Sequence, residues 1–138
     1  MSKTPAIAIV DDDEAVREAL WDLLQVEGYS ARTFDSATAF LAGYVPGAFD
    51  CLITDVRMPG IDGLEMQQRL RALGSDIPVI IVSSLTDEVT RLQALRGGAI
   101  GCLAKPVADD VLLDLLRSAL CGEPGSDDSG AGEQPSTI

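Results

Sequence analysis

Three carboxylates, a pair of hydroxyls and one lysine stand where strand-like apolar runs stop. Ala6–Val10 leads into Asp11 and Asp12, Cys51–Thr54 into Asp55, Pro78–Val82 into Ser83 and Ser84, and Ile100–Ala104 into Lys105. A carboxylate at the end of a buried strand is costly unless its charge is compensated, and carboxylates that meet in one crevice raise one another's pKa. A divalent cation removes both difficulties. Ligation by carboxylates, a backbone carbonyl and water suits Mg2+, which readily adds a phosphate oxygen. The same crevice then suits phosphate, with Lys105 placed for a second phosphoryl oxygen and the Ser83 hydroxyl for a third. Lys3 and Lys105 are the only lysines in the chain, and one of them falls at such a strand end.

Composition narrows the chemistry. The chain has no histidine, which rules out a Ser-His-Asp triad, a Cys-His pair, a histidine-ligated zinc and a phosphohistidine of its own. What remains is carboxylates, hydroxyls and lysine. Cys51, Cys102 and Cys121 are odd in number and lack a CxxC spacing, which fits neither a disulfide framework nor a zinc site and suits small hydrophobes in a reducing compartment. With 22 acids against 10 bases the formal charge is -12, and without a basic patch such a charge repels nucleic acid and anionic membrane surfaces. Apolar runs all fall short of the roughly 20 residues of a membrane span. The opening MSKTPAIAIV lacks the apolar core and cleavage site of a secretory signal. The expectation is a cytoplasmic protein with neither nucleic acid nor membrane as a direct partner.

Five strands must carry these residues. AIAIV at 6–10 and PVIIV at 78–82 are continuous apolar runs, the mark of strands covered on both faces; Ser30–Phe34, Cys51–Thr54 and Ile100–Ala104 complete the set. Helical spacings lie between them. Val16, Ala19, Leu20, Leu23 and Leu24 define a first helix, capped by one of the acids at 11–14 and closed by Gly28. Ser36 to Ala42 makes a short second helix with Phe40 and Leu41 inward, and Met66, Leu70 and Leu73 mark one face of a third that Gly74 ends. Val89, Leu92 and Leu95 are expected inward on a fourth, running from about Thr86 to Gly97-Gly98, and Val111, Leu112, Leu115, Leu116, Ala119 and Leu120 line a fifth. At 138 residues there is room for one core. Residues 1–121 are therefore expected to form one domain, and 122–138, rich in Gly, Ser, Pro and acids, a disordered acidic tail.

Strands alternating with helices dictate right-handed crossovers and a parallel sheet covered on both faces. The expected fold is a doubly wound, five-stranded α/β domain with five helices, in which function collects beyond the carboxyl ends of the strands, where the winding reverses. With strand order 2-1-3-4-5, as in flavodoxin-like folds, Asp11, Asp12 and Asp55 flank that point together. Each feature alone has an ordinary explanation, as a helix cap, a loop or a strand terminator. Their joint placement at the ends of four strands is what points to a site.

The segments VDDDEAVR at 10–17, TDVRMPGIDGLE at 54–65, PVIIVSS at 78–84 and the GGA…LAKP run from Gly97 to Pro106 closely resemble the receiver domain of two-component response regulators, in particular its FixJ-like branch. The resemblance covers about residues 5–120. It implies that Asp55 is the phosphoacceptor, that Asp11 and Asp12 bind Mg2+ with Asp55, that Arg57 lends the metal its backbone carbonyl, and that Ser83 and Lys105 hold the phosphoryl group. It also implies a cis peptide bond between Lys105 and Pro106. The implied activity is a switch: a phosphoryl group is taken from a sensor histidine kinase or histidine phosphotransfer protein, held, and slowly hydrolysed, and contacts with a downstream protein target change. Apart from its own phosphorylation and dephosphorylation the chain is expected to catalyse nothing. A phosphorylation-dependent homodimer through the fourth helix and fifth strand belongs to the same expectation.

One position departs from the family pattern. Three residues before Lys105, where these domains usually carry a Tyr or Phe that changes rotamer on activation, this chain has Cys102. A thiol is too small for that role, which leaves the fourth helix and its loop, or repacking of Leu85 or Leu103, to report the switch. The same departure favours an alternative, a degenerate receiver that binds partners without phosphorylation. A phosphatase of the haloacid dehalogenase type needs a second acid two residues after the nucleophile, where Arg57 stands. A flavin protein needs a phosphate-cradling loop where the first strand instead meets acids.

Overall fold

The apolar runs become strands in the computed structural model, which describes residues 4–84, 88–105 and 107–121. In chain order they are β1 (Ala6–Val10), α1 (Glu14–Val26), β2 (Ser30–Phe34), α2 (Ala37–Ala42), β3 (Cys51–Thr54), α3 (Gly63–Ala72), β4 (Val79–Ser83), α4 (Glu88–Arg96), β5 (Ala99–Ala104) and α5 (Asp109–Cys121). All four pairings are parallel, and the strand order is β2-β1-β3-β4-β5. This is the doubly wound sheet that the sequence predicts.

Strand alternation divides the interior into two layers. Ile7, Ile9, Cys51, Ile53, Ile80 and Val82 face α1 and α5, where Leu20, Leu24, Leu112, Leu113 and Leu116 meet them. Ala8, Val10, Leu52, Val79 and Ile81 face the other way, onto Ala37 and Phe40 of α2, Met66 and Leu70 of α3 and Ala94 of α4. Because β1, β3 and β4 are covered on both sides, their backbones are rigid supports for whatever follows them. The caps agree with the helix starts: Asp13 accepts from the Ala15 amide, Ser36 from Ala39 and Asp62 from Glu65.

Helix α4 differs from expectation. Val89, Leu92 and Leu95 are exposed, and Ala94 is the buried residue instead. The reason lies in α3. Gln67, almost fully buried, donates to the Ala94 carbonyl at 3.2 Å, while Arg71 donates to the carbonyls of Gly97 (3.1 Å) and Gly98 (3.2 Å). These polar bonds fix how α4 is rotated, and the small Ala94 side chain lets it approach the sheet. The apolar stripe is turned outward. Leu73, which caps α3, and Val111, in the first turn of α5, are likewise exposed where the spacing placed them inward. The start of α4 near Thr86, the expected readout at Leu85, the bond to Pro106 and the tail at 122–138 lie outside the described residues.

Arg71 also donates to the Ser75 and Ile77 carbonyls at 3.1 and 2.9 Å, so one guanidinium ties the end of α3 to the entrances of β4 and β5. Replacing it by Met leaves these carbonyls short of a donor. Urea unfolding of Arg71→Met is expected to show a loss of about 2 kcal/mol with an unchanged m value, in line with charged hydrogen bonds of this kind; an unchanged midpoint contradicts the role assigned to Arg71.

Candidate functional site

The carboxyl ends of β1, β3, β4 and β5 converge, and the main chain sets the spacing. The Asp55 amide donates to the Val10 carbonyl at 3.1 Å, which places Asp55 beside the residue that follows Val10, namely Asp11. The Asp11 amide donates to the Phe34 carbonyl at 3.1 Å, and the Lys105 amide to the Ser83 carbonyl at 3.0 Å. Ladder bonds thus carry past the strand ends, joining those of β2, β1 and β3 on one side and those of β4 and β5 on the other.

Side chains close the arrangement. The Lys105 ammonium lies 2.8 Å from Asp55 Oδ2 and 3.0 Å from Asp11 Oδ2, a bridge between two acids that are both buried. The other oxygens are held by amides: Asp11 Oδ1 accepts from Asp13 at 2.9 Å and Asp55 Oδ1 from Val56 at 2.7 Å. Burial pushes the Asp11 carboxyl above its ordinary range, with Asp55 adding to the push, while the Asp13 amide and Lys105 oppose it. For Lys105 burial acts downward, but hydrogen bonds and attraction from Asp55 and Asp11 outweigh it and leave the ammonium above its usual range. The stability that Lys105 contributes is therefore held below the ordinary lysine pKa and lost as pH climbs through the raised one.

Asp12 stands at the open side of the same group and is exposed. Asp11, Asp12 and Asp55 each offer a carboxylate oxygen, and all three oxygens lie within 4.8 Å of one another. Such a hard, all-oxygen donor set with one side toward solvent fits Mg2+, which keeps part of its hydration. Ser83 is fully buried at the end of β4. Arg57 follows Asp55 by two residues and is exposed.

Two supports of the site were not read from the sequence. A Cβ on Gly63 would overlap the Asp55 carbonyl oxygen and come within 3.0 Å of its carbon, so the first residue of α3 has to be glycine for the helix to start against the β3 turn. The Gly63 amide donates to the Val56 carbonyl at 2.8 Å across that contact. Gly60 makes the turn before it at a φ of 80°, open to glycine at no steric cost. The second support is Arg17, whose guanidinium donates to the Asp11 carbonyl at 2.8 Å. The Asp-x-x-Glu capping pattern at 62–65 signals the helix start, whereas nothing in the sequence shows that Gly63 or Arg17 reaches the acids.

Comparison with known proteins gives this arrangement its family. The model of the response regulator receiver domain matches residues 7–117. The chain belongs to the response regulator receiver family. It is similar to the response regulator protein TmoT of Ectopseudomonas mendocina, at 45% identity over 83% of this chain and 52% of that protein. It is also similar to the transcriptional regulatory protein FixJ of Bradyrhizobium diazoefficiens, at 39% identity over 83% of this chain and 56% of that protein. The chain spans about half the length of the curated relatives it matches. Among solved structures, the response regulator StyR superposes with a TM-score of 0.80 at 38% identity, covering 86% of this chain and 60% of that one. The FixJ-N structure gives 0.77 at 31% identity, covering 86% of this chain and 95% of that one. Receiver domains of this family are typically phosphorylated on aspartate and bind Mg2+. Among the described residues no helix is long and apolar enough to cross a membrane.

Removing the bridging ammonium strands two buried carboxylates. Without added metal, Lys105→Met is expected to be destabilised by about 3 kcal/mol at pH 7. The deficit should shrink toward pH 4, because the native variant then takes up protons more readily than the unfolded chain. Urea midpoints across that range measure it, and a deficit independent of pH contradicts the bridge.

Proposed function

We propose that this chain accepts a phosphoryl group on Asp55 from a sensor histidine kinase or a histidine phosphotransfer protein in a Mg2+-dependent reaction, and that the modified domain changes its protein contacts. The observation that carries the reading is the Lys105 ammonium spanning Asp55 and Asp11 at the strand ends. A nucleophile must be fixed and accessible. Asp55 is fixed by the amides and the ladder already described, and the turn at Gly60 carries the chain away from it.

In the transfer, an Asp55 carboxylate oxygen forms a bond to phosphorus as the P–N bond of the donor phosphoimidazole breaks, and the imidazole nitrogen leaves with the electron pair. Asp11, Asp12, Asp55 and the Arg57 carbonyl would hold Mg2+, which would supply charge neutralisation at the phosphoryl oxygens. Lys105 then pairs with a phosphoryl oxygen in place of the carboxylate it holds in the resting domain, and the Ser83 hydroxyl takes another. Hydrolysis reverses the state when water attacks phosphorus and the P–O bond to Asp55 breaks. The added charge acts on the segment from Ser83 to α4. The outward stripe of Val89 and Leu92 on α4, with exposed Ile100 on β5, supports protein contact there, with a second copy of the chain as the partner we favour.

Incubation with Mg2+ and acetyl phosphate tests the reading by intact mass. A gain of one phosphoryl group is expected, abolished by EDTA and absent from Asp55→Asn, with sedimentation of the modified sample shifting toward dimer. No mass gain, or a gain that survives Asp55→Asn, overturns the phosphoacceptor assignment. Partner binding without any gain favours the degenerate receiver, for which the replacement of an aromatic by half-buried Cys102 is the supporting observation.

A further inference from the structure

The segment that carries the two metal-side acids has an unusual electrostatic problem. Four consecutive acids, Asp11 to Glu14, connect β1 to α1, and no proline among them limits where the chain goes. Their mutual repulsion favours any geometry that spreads the carboxylates apart, which is the opposite of what a compact cation site requires. The Phe34 carbonyl holds the Asp11 amide; the side of the loop that leads into α1 needs a second bond that does not consume a ligand oxygen.

Arg17 has the placement for this. It is the sole cation on α1, half-buried, one turn into the helix. Glu14, Glu18 and Asp22 line the same surface cavity as Arg17, yet among the described residues its guanidinium forms no ion pair with any of them and donates to the Asp11 main-chain carbonyl at 2.8 Å instead. The Arg17 amide donates to the Asp13 carbonyl at 3.1 Å, so side chain and main chain of one residue grip both ends of the loop. The contrast with Lys105 is instructive. Lys105 binds carboxylate oxygens, the atoms for which a divalent cation competes, whereas the Arg17 bond is to the main chain and lies outside that competition.

We infer that Arg17 is a positioning residue of the cation site: by holding the Asp11 carbonyl it keeps the Asp11 and Asp12 carboxylates converged in both the resting and the cation-bound domain. The inference rests on the proposed Mg2+ site. It makes a prediction whose sign separates it from simple electrostatics. A nearby positive charge repels Mg2+, so if charge alone mattered, removing Arg17 would tighten binding. Removing a positioning bond weakens it, and loss of a support behind a metal ligand commonly costs ten- to a hundredfold in affinity.

Calorimetric titration with Mg2+ of the wild type, Arg17→Met, Arg17→Gln and, as a control, Arg71→Met tests this. Arg71 acts at the opposite ends of the strands, so its variant reports what destabilisation alone does to the titration. Both Arg17 variants are expected to bind Mg2+ at least about tenfold more weakly than the wild type, with the Arg71 variant near the wild-type value; circular dichroism confirms that each is folded, and the Gln variant carries the test if the Met variant is not. Equal or tighter binding by the Arg17 variants overturns the positioning role and leaves the receiver reading intact. An equal loss in Arg71→Met also overturns it, by assigning the effect to stability. Absence of Mg2+ binding in the wild type removes the proposed site itself, and this inference with it.

Discussion

One ammonium shared by two buried carboxylates is the interaction on which the upper edge of this sheet depends. Asp11 and Asp55 come from strands far apart in sequence, and the parallel ladder forces them side by side. Left alone they would repel and resist ionisation. Lys105, delivered by the edge strand β5 across the end of β4, holds one oxygen of each at 2.8 and 3.0 Å and keeps the pair compatible with a folded core. The same contacts make the site responsive, since whatever changes the charge on Asp55 also changes what Lys105 has to neutralise. On the proposed function, a resting domain that stores its own counter-ion in the pocket would exchange it for a metal and a phosphoryl group without exposing bare charge.

Much of this was legible because it follows from short-range rules. AIAIV and PVIIV read as doubly covered strands, and they are buried on both faces. The alternation of strands and helices dictated the parallel sheet, whereas the strand order was supplied by analogy with flavodoxin-like folds. The acids, Ser83 and Lys105 were found because each sits at the last position of a strand or just beyond it, a property of the linear sequence. What the sequence did not reveal was set by contacts between elements. The rotation of α4 is decided by Gln67 and Arg71 on α3, which bond to carbonyls and lie so close that positions 94, 97 and 98 must be small, and Ala94, Gly97 and Gly98 read in the sequence only as a helix residue and its stop. An apolar stripe at 89, 92 and 95 reads the same whether it covers a core or faces a partner.

Gly63 and Arg17 escaped notice for a related reason. A glycine at the start of a helix after an aspartate cap reads as an ordinary turn residue, and its reason here is the Asp55 carbonyl, which a Cβ would strike. An arginine on an acidic amphipathic helix reads as a solvated partner for its neighbours. In the fold it turns back over the loop that precedes the helix. Both residues act on the main chain of a site acid rather than on the carboxylate, so a search for chemistry-bearing side chains passes over them. The pocket is built in two tiers, with the Asp11 and Asp55 carboxylates bridged by Lys105 in front and contacts to the main chain of those acids, from Gly63 and Arg17, behind.

The central claim is that Lys105, half-buried, bridges Asp11 and Asp55 as a charged group. Because Lys3 and Lys105 are the only lysines, a nitrogen-15 spectrum of the side-chain ammonium groups has two signals to assign, which Lys105→Met identifies. The account predicts that the Lys105 signal exchanges slowly with water, remains protonated at pH values above the usual lysine pKa of about 10.4, and moves when Mg2+ is added. Two signals that both titrate and exchange as free lysines, and that ignore Mg2+, would contradict it.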